Sequence, residues 1–221
     1  MTLVLHHCHQ ARSMRSLWLP NELGVPFELV VHPFDKSLRA PEYLALSPAG
    51  RVPALQDGDV TLFETGAIAQ YLCETYAPET FGRPPGHAER AEWLMWLHFA
   101  ETLSVHAAAL TQQHLVLRDD SMRSPVIMNL EAKRAAKCYD AIEARLRTSG
   151  SYLLASGLSA PDISVGQAVY LAQFFVKPDP WPRLFDWYSR LTARAAFQNA
   201  LPPKGEELMQ KDFYPPWDMP A

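Results

Sequence analysis

The sequence lacks the features that would place it in several broad classes. It has no excess of basic charge: 20 Lys and Arg stand against 24 Asp and Glu, a formal net charge of −4. That removes the simplest electrostatic case for a nucleic-acid or anionic-membrane partner. Cysteine is scarce and widely spaced. Cys8, Cys73 and Cys138 are an odd count with no C-x-x-C pair, which fits neither a disulfide framework nor a zinc cluster. No window nears the ~20 apolar residues that span a bilayer. The start, MTLVLHHCHQARS, has neither the basic first residues nor the ~7–15-residue apolar run of a secretory signal. The expectation is a cytoplasmic, reduced protein with no membrane and no nucleic-acid partner. Internal repeats and low-complexity runs are absent as well.

What is present is an ordinary globular composition, 48% hydrophobic and 20% charged over 221 residues, which excludes intrinsic disorder. Proline is the unusual count, 19 against 10 Gly. In a Leu- and Ala-rich chain it predicts helices with abrupt starts and stops.

The chain changes character near residue 78. Before it, apolar runs at 2–6 and 27–32 alternate with helical spacing over 13–23, where Met14, Leu17 and Trp18 share a face. A short helix is expected at 41–46. Runs at 52–56 and 60–63 flank Asp57-Gly58-Asp59, a hairpin signal. Residues 65–76 return to helical spacing through Ile68, Tyr71, Leu72 and Tyr76. Residues 79–87, within PETFGRPPGH, form a proline- and glycine-bearing linker. Beyond it the periodicity is helical only: 88–117, 124–148, 163–175 (apolar nearly all round, so buried) and 182–191. The Trp93/Trp96 and Trp187/Tyr188 pairs sit at core spacing. The last residues, 206–221, read as an irregular tail.

Three stretches of the first half can be read chemically. In SPAGRVPAL, Pro53 stands where a strand begins. It is either an ordinary strand-start proline or a cis proline that leaves Val52 as a free strand edge able to pair with an extended peptide. In FETGAI, Thr65 opens a helix whose free N–H groups suit a carboxylate, with Glu64 beside them for an ammonium. The plainer alternative is a simple N-cap. In HQARSMR, a helix N-terminus and a hydroxyl could favour a thiolate, or Ser13 could be only a cap. Adjacent strand histidines point to opposite faces, so His6, His7 and His9 do not share a metal ion, and no metal is assigned. Cys8, Cys73 and Cys138 read as small core residues.

Together these stretches carry a resemblance. LHHCHQARSMRSLWLPNELGVPFEL, then SPAGRVPAL, then LFETGAIAQYL, and later SAPDIS, stand in the order and spacing of the glutathione S-transferase family. The chain is most similar to bacterial and fungal members with an H-H-L-x-N-S-R-S start. The resemblance implies an α/β thioredoxin-like domain (βαβ-ββα) at 1–78 and an all-α helical bundle at 88–205. It implies that Val52 and the cis Pro53 pair with the cysteinyl unit of glutathione. Glu64 and Thr65 would hold the γ-glutamyl ends, and Arg51 would lie beside the glycyl carboxylate. Ser159 and Asp162 would cap the buried helix, a structural role.

The catalytic position departs from the family. Where the branch reads N-S-R-S, this chain reads Gln10-Ala11-Arg12-Ser13, so one candidate hydroxyl is lost at Ala11. Ser13 is the surviving hydroxyl, Arg12 adds positive charge, and Gln10 stands where other serine-using classes carry their serine. These three are the catalytic candidates, with backbone amides alone as the remaining choice. Leu103 and His106, one turn apart, are candidates for the electrophile pocket. The implied protein is a homodimeric enzyme. It would bind glutathione as co-substrate, stabilise its thiolate and conjugate it to small hydrophobic electrophiles, with peroxidase activity as an extension. A non-catalytic binder of glutathione or hydrophobic ligands, or a disulfide reductase using Cys8, are the alternatives.

Overall fold

Alternating short apolar runs and amphipathic segments become a four-stranded sheet with helices on both faces in the computed structural model, which describes residues 3–117 and 119–209. The order is β1 (Leu3–His7), α1 (Met14–Leu23), β2 (Phe27–Val31), a short α2 (Pro41–Leu44), β3 (Ala54–Asp57), β4 (Val60–Phe63) and α3 (Thr65–Tyr76). Strands lie in the order β2-β1-β3-β4. β1 pairs parallel with β2 and antiparallel with β3, and β3–β4 is the hairpin around Asp57-Gly58-Asp59. This mixed sheet is the thioredoxin-like βαβ-ββα arrangement. β1 is paired on both sides and almost wholly buried, so the loop that leaves its C-terminal end starts from a rigid strand.

The remaining helices are α4 (Arg90–Thr111), α5 (Pro125–Ser149), α6 (Ala160–Ala172), α7 (Pro182–Thr192) and α8 (Ala195–Gln198). α4 runs on into a wider π-helical turn, Gln112–Val116. Every residue of α6 is buried, as its all-round apolar pattern requires. α6 starts three residues before the periodic pattern does. Ser159 and Asp162 close a capping box there, which draws Ala160-Pro161-Asp162 into the first turn. Asp162 Oδ2 accepts from Ser159 N (3.0 Å), and Oδ1 accepts from Leu153 N and Trp187 Nε1 (both 2.9 Å). Burial pushes this carboxyl up to about 6 in spite of those bonds.

Pro20 lies inside α1 rather than at its start, and Gly24 ends the helix in the left-handed region (φ +65°). Gly166 lets α6 close on its neighbours: a Cβ there would stand 2.9 Å from Leu191 Cδ1 and 3.2 Å from Trp18 Cη2. α8 and the 3₁₀ turns Lys36–Arg39 and Asp120–Met122 were not expected from periodicity, because three or four residues show barely one helical turn. After Leu201 the chain runs back as a strap to Met209, and the rest of the expected tail lies outside the described residues.

Candidate functional site

The first wall of the site is the turn before β3. Gly50 adopts φ +60°, and a Cβ on it would meet the Leu38 carbonyl oxygen at 3.0 Å, so a side chain there would be both strained and crowded. The Arg51 carbonyl is pinned by two hydroxyl donors, Tyr43 (2.9 Å) and Ser47 (2.8 Å). The next peptide, Val52–Pro53, is cis.

The second wall is the start of α3. Glu64 is exposed yet held at φ +78°, a conformation costing about 1–3 kcal/mol that persists only where its surroundings over-determine it. The amides of Thr65, Gly66 and Ala67 precede the first intrahelical bond, Ile68 N to the Glu64 carbonyl (3.0 Å), and are the unsatisfied donors of the helix start. Between the two walls lies a cavity of about 270 Å³ lined by Arg12, Ser47, Ala49, Arg51, Val52, Pro53, Phe63, Glu64 and Thr65. The five glutathione-site candidates of the sequence therefore meet in one pocket. An exposed carboxylate, free helix amides and two guanidinium groups surround a strand edge, an arrangement suited to a short zwitterionic peptide.

Behind the pocket is an ion cluster that sequence reasoning missed. Arg15 is fully buried, and its guanidinium donates to Gln167 Oε1 (3.0 Å), Thr65 Oγ1 (3.3 Å), Ser104 Oγ (2.5 Å) and Glu101 Oε1. Glu101 also accepts from Thr65 Oγ1 (2.7 Å) and Arg12 Nη1 (2.9 Å). Burial pushes the Glu101 carboxyl up, but Arg15, Thr65 and Arg12 together hold it below its usual value. Two guanidiniums face one carboxylate, so the cluster keeps one net positive charge; Arg15 is buried, while Arg12 and Glu101 are each about a third exposed. The Thr65 hydroxyl is spent on Glu101, which leaves only its backbone amide for a ligand. The signal for this cluster was a charged residue on each of two apolar stripes, Arg15 beside Trp18 and Glu101 beside Leu97, with Gln167 amid an apolar helix.

The three catalytic candidates separate sharply. Arg12 lines the pocket. Ser13 does not: its fully buried Oγ lies 2.9 Å from His7 Nδ1, accepts from Cys8 N (3.2 Å) and faces the Cys8 carbonyl (3.3 Å). Ser13, expected as the hydroxyl for the sulfur, is thus turned inward and committed to these partners. Gln10 is also turned away, its amide donating to Tyr170 OH (2.9 Å) and accepting from Met209 N. Burial and then the neighbouring His9 hold His7 down to about 3, opposed by its Ser13 bond, so it is a weak base at neutral pH.

Leu103 and His106 also fall elsewhere. Leu103 is wholly buried in the core, and His106 Nδ1 lies 2.6 Å from Glu131 Oε2 on α5. α4 thus buries Leu103 and turns His106 toward α5. All three cysteines are buried and free; burial first, and Asp35 second, push the Cys8 thiol up to about 11. His6 turns to His32 (2.9 Å) and His7 to Ser13, on opposite faces. Among the described residues no group of three or more His, Cys, Asp and Glu could hold a metal ion, and no helix is long and apolar enough to cross a membrane.

A thioredoxin-like sheet whose cis-proline turn and helix start frame a polar pocket, followed along the chain by a bundle of helices, defines the class of architecture. Comparison with known proteins agrees. The family described as Glutathione S-transferase, N-terminal domain, matches residues 1–74, and that described as Glutathione S-transferase, C-terminal domain, matches residues 107–190. Glutathione S-transferase 4 of Zea mays is 32% identical over 82% of this chain and 83% of its own length. Glutathione S-transferase 3 of Schizosaccharomyces pombe is 36% identical, over 45% of this chain and 41% of its own length. Among solved structures, the theta class glutathione S-transferase of Xanthomonas axonopodis pv. citri, with glutathione bound, is 27% identical with a TM-score of 0.79, covering 90% of this chain and 97% of that one. The chain belongs to the glutathione S-transferase family.

Proposed function

We propose that the chain binds glutathione in this pocket, stabilises its thiolate and transfers it to small hydrophobic electrophiles. The observation that carries the reading is the convergence of Arg51, the cis Val52–Pro53 bond, Glu64 and the start of α3 on one cavity that also receives Arg12. Glu64 takes the γ-glutamyl ammonium, and the first amides of α3 take its carboxylate. Val52 pairs with the cysteinyl backbone, and Arg51 takes the glycyl carboxylate. The cysteinyl sulfur then lies on the side of the pocket formed by Arg12 and the start of α1, where positive charge favours the thiolate. The thiol proton leaves to solvent. The thiolate attacks an electrophilic carbon, and the carbon–sulfur bond forms as the leaving group departs with its bonding pair. Leu103, wholly buried, and His106, engaged with Glu131, are left out of the electrophile's surface in this reading.

We take residues 1–78 and 88–205 as the two domains, the protein as cytoplasmic, and the assembly as a homodimer, which sedimentation at micromolar concentration tests. A second reading, non-catalytic binding, is favoured by one observation: no side-chain hydroxyl of the loop between β1 and α1 is free for the sulfur. Disulfide reduction through Cys8 is disfavoured by its raised thiol pKa and burial. Retention on immobilised glutathione tests the site. Glu64→Ala is expected to abolish it; unchanged retention would remove the γ-glutamyl assignment.

A further inference from the structure

Gln10 has left the pocket for another task. It is held at φ +54°, left-handed backbone that residues other than glycine seldom adopt and that endures only where the surroundings dictate it. Here they do. The side-chain amide is almost wholly buried and satisfied at both ends: Nε2 donates to Tyr170 OH on α6 (2.9 Å), and Oε1 accepts from the Met209 amide. One residue earlier, His9 Nε2 lies 3.1 Å from Glu206 Oε2. Met209 is itself buried, at 3% exposure, and Leu208 packs on the core. The strap after α8 therefore crosses from the helical domain and fastens the loop between β1 and α1.

Arg12 lies two residues beyond Gln10. Gln10 sits in a tight turn of residues 8–11, closed by Ala11 N donating to the Cys8 carbonyl (3.2 Å), and Arg12 follows directly. A Gln10 released to right-handed backbone would swing the Ala11–Arg12 peptide and carry Arg12 with it.

We propose that the strap, residues 202–209, is an internal clamp that holds this loop through Gln10 and thereby aims Arg12 into the pocket. Gln10 is a positioning residue, and the Met209 amide is its partner. The mechanical half stands on the contacts above; the catalytic half rests on the reading of Arg12 just given.

Three full-length variants test it. Met209→Pro removes the amide donor. Gln10→Asn tolerates left-handed backbone but is too short to reach both partners. Gln10→Glu keeps the length and can accept from the Met209 amide and the Tyr170 hydroxyl, so it should restore the clamp. Amide exchange across residues 8–13 is expected to rise at least tenfold in the first two and to stay near wild type in the third. In the same two variants the bound-glutathione thiol pKa should rise by about one unit, while affinity for S-methylglutathione, which has no thiol proton, changes less than threefold. Unchanged exchange in Met209→Pro and Gln10→Asn would overturn the clamp whatever Arg12 does. Faster exchange with an unshifted thiol, where Arg12→Ala does shift it, would overturn the coupling to Arg12. If Arg12→Ala itself shifts nothing, the reading of Arg12 fails, and the exchange data still decide the clamp.

Discussion

Asp162→Ala should expose how a buried carboxylate can be costly in itself and still necessary. Asp162 is fully buried and accepts from Leu153 N, Ser159 N and Trp187 Nε1 at 2.9–3.0 Å. Truncation leaves three buried donors unsatisfied, each worth about 1–3 kcal/mol. Set against that is the desolvation of the charge, which raises the carboxyl from 3.8 to about 6 and makes ionised burial unfavourable by roughly 3 kcal/mol at neutral pH. The balance is a net loss of about 3 kcal/mol, a fall in Tm of roughly 6–12 °C for a chain of this size.

The pH dependence has a definite sign. A carboxyl raised on folding contributes stability that is complete below its unfolded pKa and is lost as pH rises through about 6. Wild type therefore gains about 1 kcal/mol from this group between pH 7 and pH 5, and Asp162→Ala does not. Glu101, held below its usual value, acts in the opposite sense as acid is added, but it is common to both proteins and cancels from their difference. Denaturant melts of the two proteins at pH 7 and pH 5 measure that difference. A gap below about 1 kcal/mol at pH 7, or one that narrows at pH 5, would refute the account of the cap.

Other outcomes follow from the same contacts. Glu101→Gln strands the buried Arg15 guanidinium without a counter-charge. It should cost about 2–4 kcal/mol, somewhat below a fully buried pair because Glu101 is a third exposed; a loss under 1 kcal/mol in denaturant titration would remove the cluster from the stability of the domain interface. Gly166→Ala forces a Cβ against Leu191 and Trp18 and should destabilise by about 1–3 kcal/mol, read as a lower Tm with no change in glutathione affinity. Cys8→Ser should keep conjugating activity within twofold, since a thiol pushed up to about 11 is not ionised at neutral pH; a tenfold loss would return Cys8 to the mechanism.

The fold was legible because its signals are local. The hairpin turn, the helical spacing of 65–76 and the all-apolar run of α6 each carry their own period. Pro53 was legible as a choice between two roles, and the cis bond resolves it. The pocket was legible because it is built from backbone: a turn, a strand edge and a helix start, each marked by a proline, a glycine or a cap. The sulfur end was not, because it depends on which way three consecutive side chains point. Ser13 is drawn inward by His7 and the Cys8 peptide, and Gln10 by Tyr170 and Met209, 160 and 199 residues away in sequence. Arg15 and Glu101 meet 86 residues apart, and only their place on apolar stripes hinted at the pairing. The facing of Leu103 and His106 was hidden for a similar reason. Helical spacing says that they are neighbours, not which of α5, α6 or the pocket they face.

Arg12 and the start of α1 are proposed to hold glutathione as its thiolate without a side-chain hydroxyl. Titration of bound glutathione, followed by the ultraviolet absorbance of the thiolate, tests it most directly. The account predicts a thiol pKa at least one unit below that of free glutathione, about 1.4 kcal/mol of preference for the anion, and a return by most of that shift in Arg12→Ala. A bound thiol that titrates like the free tripeptide would contradict it and leave a protein that binds glutathione without activating it.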